Sequence, residues 1–211
     1  MGMHVFRTIA GIATIAFPIL LTIGFALHPR LLSPQFTRTA EDLIAKFRGK
    51  RAFHAGHLIV FIAVPFIILN LFYVQEALKG AGTTYGLVGS VVGIIGAVIL
   101  AGDKGALCIV LSAFDRLSDA DFASIRPAIQ AIVERRGLLK IFWALPLLPL
   151  GAIIQVIGMI KEGLMPSSAG VLAIVGLALL NNPDIDIVST VGGILMCVAY
   201  IPLGARIVGG G

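Results

Sequence analysis

The chain contains few of the residues that mark soluble enzymes, secreted domains or metal-binding proteins. Charged residues make up 13% of its 211 positions, whereas soluble domains carry roughly 25%. Its two cysteines, Cys108 and Cys197, lie in apolar stretches and form no C-x-x-C pair, so the sequence indicates neither a disulfide framework nor a cysteine metal site. Walker, G-x-S-x-G and H-E-x-x-H motifs are also absent, so no catalytic motif points to an enzyme.

Apolar residues dominate the chain instead. They account for 58% of the positions, and the mean hydropathy is +1.00. Continuous apolar runs that do not alternate with polar residues are typical of membrane-spanning helices rather than of barrel strands. We therefore expect one all-α domain over residues 1–211, a multi-pass protein of the cell (inner) membrane, with no cofactor indicated. The six predicted spans are Thr8–Leu27, Phe53–Gln75, Tyr85–Gly102, Ile141–Ile160, Leu164–Leu180 and Ile187–Ala205.

Two loops contain short amphipathic segments. In loop one, between the first two spans, Thr39 precedes Asp42 by three residues in a capping-box pattern, and Leu43 and Phe47 then share one helical face. Loop three, between the third and fourth spans, repeats apolar residues at helical spacing at Phe122, Ile125, Ile129 and Ile132. Both segments predict short helices that either lie on the bilayer surface or pack on the bundle as connectors.

Basic residues are distributed unevenly between the loops. Eleven of the 16 lysines and arginines lie in loops one and three. Because basic loops stay in the cytoplasm, this asymmetry predicts that both termini lie outside it. Anionic lipid headgroups, rather than nucleic acid, are the natural partner of these loops within the bilayer.

Asp103 and Lys104 are the only charged residues between Gly80 and Phe114. At 1.5 Å per residue they lie about 27 Å from Tyr85, which favours a place near the cytoplasmic interface. Alternatively, the helix continues to Phe114 and leaves them within the bilayer. Adjacent helical residues point about 100° apart, so each side chain is expected to find a partner elsewhere.

Other polar residues are predicted at the same depth. They are His28, His54, His57, Asn181, Asn182, Asp184 and Asp186. Ionisable groups at membrane depth usually face protein or water, so we expect a site for an ion, a proton or an anionic headgroup. The candidate ligand-binding residues are His54, His57, Asp103, Lys104, Asp184 and Asp186. The alternative is that these residues are the ordinary polar ends of six helices.

Three further features leave alternatives open. His28 with His54 or His57 is the residue pair that a haem would use as axial ligands. Asn70 and Gln155 lie deep in two spans, where each either lines a cavity or bonds across helices. Gly89 and Gly93 give the third span a small-residue face that favours close helix packing, within the chain or in an oligomer.

These observations lead to three hypotheses of function. The first is a transporter, channel or ligand-binding module that uses the polar cluster. The second is an accessory subunit that packs against a larger complex or against a second copy. The third is a haem- or pigment-binding protein.

Some features of the layout are shared with a known group of proteins. They are the prolines within the spans, the basic first loop ending in KFRGKRAFHAGH, and the stretch EGLMPSSAGVLAIVGLALL before a last apolar span. In these features the chain resembles small six-helix bacterial integral membrane proteins that are grouped in families of unknown function. The resemblance covers most of the chain and implies the six-helix fold; it transfers no catalytic residue.

Overall fold

The computed structural model describes residues 2–28, 32, 37–181 and 185–210, and all regular secondary structure in these ranges is helical. A π-helical segment, Gly105–Val110, directly follows α4, and a 3-10 segment, Gly137–Ala144, precedes α8. The α-helices are α1 Gly2–Ala26, α2 Ala40–Phe47, α3 Arg51–Ala77, α4 Thr83–Lys104, α5 Leu111–Phe114, α6 Asp119–Ser124, α7 Arg126–Val133, α8 Leu147–Lys161, α9 Ser167–Leu179 and α10 Asp186–Gly209.

Among the described residues, five helical segments are long and apolar enough to cross a membrane. They are His4–Ala26, Arg51–Ala77, Thr83–Phe114, Arg126–Lys161 and Asp186–Gly209. The fifth predicted span is shorter than expected, because α9 begins only after Pro166 and ends at Leu179. Its 13 residues extend about 20 Å, less than the roughly 30 Å of a hydrocarbon core. The prediction of six full-length spans is therefore not confirmed.

Each long helix packs against the next one along the chain, and the last returns to the first. Helix α1 contacts α3 and α10, α4 contacts α3 and α8, and α9 contacts α8 and α10. Neighbouring helices run antiparallel, as the facing pairs Gly11 with Gly204 and Gly24 with Gly56 show. The contacts thus form a closed ring. The N-terminal end of α1 and the C-terminal end of α10 lie at the same end of this ring.

Glycines allow α4 and α8 to approach closely. A Cβ added at Gly151 would lie 2.2 Å from the backbone nitrogen of Gly93 and 2.6 Å from the carbonyl oxygen of Gly89. The small-residue face of the third predicted span therefore packs within the chain. An oligomer remains a prediction, but this glycine face does not supply its interface.

Two of the prolines expected inside spans lie instead at a helix start. Pro146 is the N-cap of α8, and Pro149 is in its first turn, where the missing N–H would have no intrahelical partner. The fourth predicted span therefore begins with a 3-10 segment rather than with α-helix. Pro18 and Pro65 do lie inside α1 and α3.

The short helices α2, α6 and α7 pack together in a small unit that we call the cap. Thr39 and Asp42 form the predicted capping box at the start of α2. The amide of Ala40 donates to Gln130 Oε1 of α7 at 2.7 Å. The apolar core of the cap also includes α5 and the first turn of α3; its buried members are Ala40, Leu43, Phe47, Phe53, Leu111, Phe122 and Ile129. The cap therefore covers the end of the ring at which α3 begins.

A carboxylate fastens the opposite end of the ring. Glu162, which follows α8, accepts backbone hydrogen bonds from Lys79, Gly80 and Gly82 between α3 and α4, at 2.6 to 2.9 Å. The amides of Gly82 and Gly80, followed by that of Lys79, hold the pKa of this carboxyl below its usual value.

Candidate functional site

A cavity of about 700 Å³ begins under the cap and continues between the helices of the ring. Its volume is in the range of small-molecule sites, roughly 300–1,000 Å³. The cap end is lined by charged and histidine side chains, and the inner end is mostly apolar. The apolar wall residues include Phe17, Leu21, Phe25, Ile67, Leu71, Leu148, Leu177 and Met196.

The cavity wall contains a buried ion pair at the cap end. Lys104 Nζ lies 3.0 Å from Asp103 Oδ2, and their side chains are 15% and 5% exposed. The expectation that each side chain needs a partner elsewhere is wrong. The long, flexible lysine side chain reaches back to its neighbour although the two Cα–Cβ bonds diverge. Both residues line the cavity.

Two histidines and an aspartate from three helices lie in the same part of the wall. His28 Nδ1, at the end of α1, lies 2.6 Å from Asp186 Oδ1 at the start of α10. The rings of His28 and His57 stack 4.9 Å apart at an interplanar angle of 15°. His57, Asp103, Lys104 and Asp186 thus line the same cavity, and their role in binding a ligand stays a prediction.

A hydrogen bond to the backbone fixes the tautomer of neutral His57. Nδ1 lies 2.9 Å from the carbonyl oxygen of Phe53, and because a carbonyl only accepts, Nδ1 carries the proton. In the neutral ring Nε2 is therefore an acceptor. His57 is buried and lines the same cavity as Asp103 and Lys104.

Two candidate residues are not part of this wall. His54 faces the cap, where its Nε2 lies 3.4 Å from Asp115 Oδ2, and neither ring nitrogen makes a hydrogen bond within the described residues. Asp184 lies outside the described residues, as does Asn182. His54 is therefore not part of the candidate site in the cavity wall.

The two deep polar residues of the sequence differ in role. Asn70 lines the cavity, and one side of its amide lies 2.9 Å from the Thr14 hydroxyl. Gln155 is not among the described residues that line the cavity. Its Nε2 donates hydrogen bonds to Leu71 O at 2.9 Å and to Ser90 Oγ at 3.1 Å. Gln155 thus ties α8 to α3 and α4, as the packing alternative predicts.

The helix that carries Asp103 continues beyond the predicted interface. After Lys104 it changes to the π-helical segment Gly105–Val110 and then to α5, ending at Phe114. The alternative prediction, that the helix carrying Asp103 continues to Phe114, is therefore confirmed. π-Helical turns often occur at functional sites, and this one starts at the cavity wall.

Sequence reasoning missed several cavity residues. Tyr200 is 2% exposed and lines the inner end. Arg135 stacks its guanidinium over the Trp143 ring, 4.7 Å from the centroid, at the cap end. Arg38 and Lys46 also line the wall. An apolar helix with a single tyrosine gave no periodic signal for Tyr200, whereas Arg135 was visible only as one of many loop cations.

The haem alternative fits this arrangement poorly. Axial ligands hold the iron from opposite faces of the porphyrin, but the stacked rings of His28 and His57, 4.9 Å apart, leave no space for a macrocycle between them. His54 faces the cap rather than the cavity. Within the described residues, no group of three or more His, Cys, Asp or Glu side chains has a metal-binding arrangement.

Comparison of the chain with protein-family models, curated proteins and solved structures gives no match. The cavity itself therefore carries the argument about function.

Proposed function

We propose that the chain is a ligand-binding membrane protein, of a transporter or binding-module class, that takes up an anionic amphiphile. The observation that carries this proposal is one continuous cavity with a charged cap end and an apolar inner end. Such a cavity matches a molecule with a polar head and a hydrocarbon body, because each part then meets a wall of its own polarity.

The charges of the wall favour an anionic head. Among the described residues that line the cavity, the cations are Arg38, Lys46, Lys104 and Arg135, and the carboxylates are Asp103 and Asp186. Both carboxylates already have a cationic or histidine partner within the chain. The described wall therefore has a net positive charge, which favours a negatively charged head at the cap end.

The surface beside the cavity gives a ligand from the bilayer a route of approach. Trp143 lines the cavity and is also 72% exposed, and Leu138 of the same 3-10 segment is 93% exposed. Exposed apolar side chains at this level are favourable in contact with lipid, and tryptophan is enriched at membrane interfaces. We propose that amphiphiles pass along this segment into the cavity.

In the proposed membrane arrangement the ring crosses the bilayer six times, and the short helix α9 is the fifth crossing. The cap lies at the cytoplasmic face, its helices near the lipid headgroups, and both termini lie outside. The basic loops one and three then contact anionic headgroups on the cytoplasmic side.

A binding measurement tests the proposal. Purified protein in dodecyl maltoside is titrated with tritiated palmitate, and bound probe is read by scintillation proximity. We expect saturable binding that unlabelled palmitate displaces, whereas hexadecan-1-ol and hexadecyltrimethylammonium displace it at least about tenfold less well, since they lack the negative charge. Displacement by phosphatidylglycerol would show that the anionic head belongs to a bilayer lipid rather than to a free fatty acid.

A matched pair of variants locates the probe. Leu21→Trp fills the cavity from α1, where Leu21 is buried in the wall, and is expected to abolish binding. Ile12→Trp places the same side chain on the outer face of α1, where Ile12 is 51% exposed, and is expected to leave binding unchanged. Absence of saturable palmitate binding to the folded wild-type protein would disprove the proposal.

A further inference from the structure

Two buried polar side chains at the inner end of the cavity lack a full set of hydrogen bonds. Asn70 is 5% exposed, Tyr200 is 2% exposed, and both line the cavity. Within the described residues the Tyr200 hydroxyl has no hydrogen-bond partner, and the Asn70 amide is bonded on one side only, by Thr14. Buried polar groups normally find partners, so these two are available to a group inside the cavity.

The two groups lie at the same level of the ring. On α1, Thr14 contacts Asn70 at 2.9 Å, and the Phe17 ring packs edge-on against Tyr200 with centroids 4.9 Å apart. Thr14 and Phe17 are one helical turn apart, about 4.5 Å along the axis. Asn70 and Tyr200 therefore lie at about the same level of the cavity wall.

Their surroundings make this pair selective. The neighbouring wall at this level is apolar, with Phe17, Ile67 and Met196 among its members. A hydrocarbon end placed there leaves an amide and a hydroxyl unsatisfied, whereas a hydroxyl or carbonyl completes their hydrogen bonds. Sites built to bond such a group discriminate strongly against ligands that lack it.

We infer that Asn70 and Tyr200 form a second polar subsite, which binds a hydroxyl or carbonyl at the far end of the amphiphile. This inference rests on the proposed function. His57 and Asn70 are 13 positions apart on α3, about 20 Å along the helix. With carbon–carbon bonds of about 1.5 Å, an extended chain of about sixteen carbons spans that distance. The ligand class is therefore a long-chain amphiphile with an anionic head and an oxygen function near its other end.

Competition between two matched probes tests the inference. Unlabelled palmitate and 16-hydroxypalmitate, which differ only in the terminal hydroxyl, displace tritiated palmitate from the wild-type protein in the assay above. We expect 16-hydroxypalmitate to bind about three- to tenfold more tightly, the effect of one or two additional hydrogen bonds. Tyr200→Phe and Asn70→Leu should each reduce the preference of the protein for 16-hydroxypalmitate over palmitate.

The control is Tyr73→Phe, which makes the same change outside the described wall of this cavity and should retain the wild-type preference. If a variant fails to elute as a monodisperse protein, the comparison of the two probes on the wild-type protein still decides the matter. Equal affinities there would overturn the inference while leaving the proposed function intact, and would mean that water satisfies both groups. Binding of neither probe would overturn both.

Discussion

The ion pair between Asp103 and Lys104 lies in the cavity wall, where protein limits the access of water. Removing a carboxylate from water is costly, and the nearby ammonium offsets part of that cost. Within the described residues, Lys104 is the one ionic partner of Asp103. The stability of the Asp103 carboxylate at this position therefore depends on its neighbour in sequence.

Two single substitutions at this pair should have unequal effects on stability. Lys104→Met leaves a buried carboxylate without its cation and is expected to reduce the free energy of unfolding by about 3–5 kcal/mol. Asp103→Asn leaves the less buried lysine, and the expected loss is about 1–3 kcal/mol. Unfolding of each protein in mixed detergent micelles of rising SDS content measures both values.

The double variant supplies the control for that experiment. Because Asp103→Asn/Lys104→Met contains no unpaired charge at this point, its loss should be smaller than the sum of the two single losses. Strict additivity would show that the pair does not interact. Under the proposed function Asp103→Asn should also bind palmitate more tightly, since an anionic head then no longer competes with a carboxylate for Lys104.

Individual polar residues show what the sequence could and could not predict. The cluster of His57, Asp103, Lys104 and Asp186 followed from depth alone, because helix length and the position of apolar runs set the level of each residue. The different roles of Asn70 and Gln155 did not follow. The roles of these two residues depend on whether a neighbouring helix has an acceptor, such as Leu71 O, at the same level. The position of one helix along another is set by tertiary packing.

At the scale of elements, the contact between α4 and α8 depends on the absence of side chains. A Cβ at Gly151 would meet backbone atoms of α4 at 2.2 to 2.6 Å, and backbone cannot move aside as a flexible side chain can. This contact also positions Gln155, whose hydrogen bonds join α8 to α3 and α4. The helix that carries Asp103 is thereby fixed relative to α8, which supplies part of the cavity wall.

Gly151→Ala should therefore separate α4 from α8. The expected loss is about 1–3 kcal/mol of unfolding free energy, the usual effect of overpacking a filled core, again measured by SDS titration. The matched control is Gly105→Ala, because a Cβ there meets no atom within 4 Å and the backbone is helical, with φ −60°. A loss at Gly105 equal to that at Gly151 would contradict the role assigned to the close contact.

The helices themselves were predicted unevenly, for local reasons. Helices α3 and α10 contain the predicted apolar runs, α1 contains all but the last residue of its predicted run, and α2 starts at the predicted capping box. Uninterrupted apolar sequence and a cap are local signals. In the fourth and fifth predicted spans the α-helix starts later than predicted, at Leu147 and Ser167. There the prolines at 146 and 166 determine where α8 and α9 start, and hydropathy alone does not register that effect.

At the scale of the whole molecule, the ring has two chemically different ends. One end bears the cap, the basic loops and the charged part of the cavity wall. The other bears the short connections between α3 and α4 and between α8 and α9, together with the N-terminal end of α1 and the C-terminal end of α10. The helices α1 and α10 are antiparallel neighbours. The difference between the two ends of the ring therefore follows from helix packing, whatever the number of helices that cross the bilayer.

The positive charge of the cap end predicts its side of the membrane. Eleven of the 16 lysines and arginines belong to loops one and three, so the cap is expected in the cytoplasm and residue 81 outside it.

Ala45 on the outer face of α2 and Ala81 between α3 and α4 are both exposed. Each is replaced by cysteine in a chain in which Cys108 and Cys197 are replaced by serine. A membrane-impermeant maleimide should label Ala81→Cys in cells whose inner membrane is intact and Ala45→Cys only after that membrane is permeabilised. The opposite labelling pattern would place the cap outside and reverse the side from which the charged end of the cavity is reached.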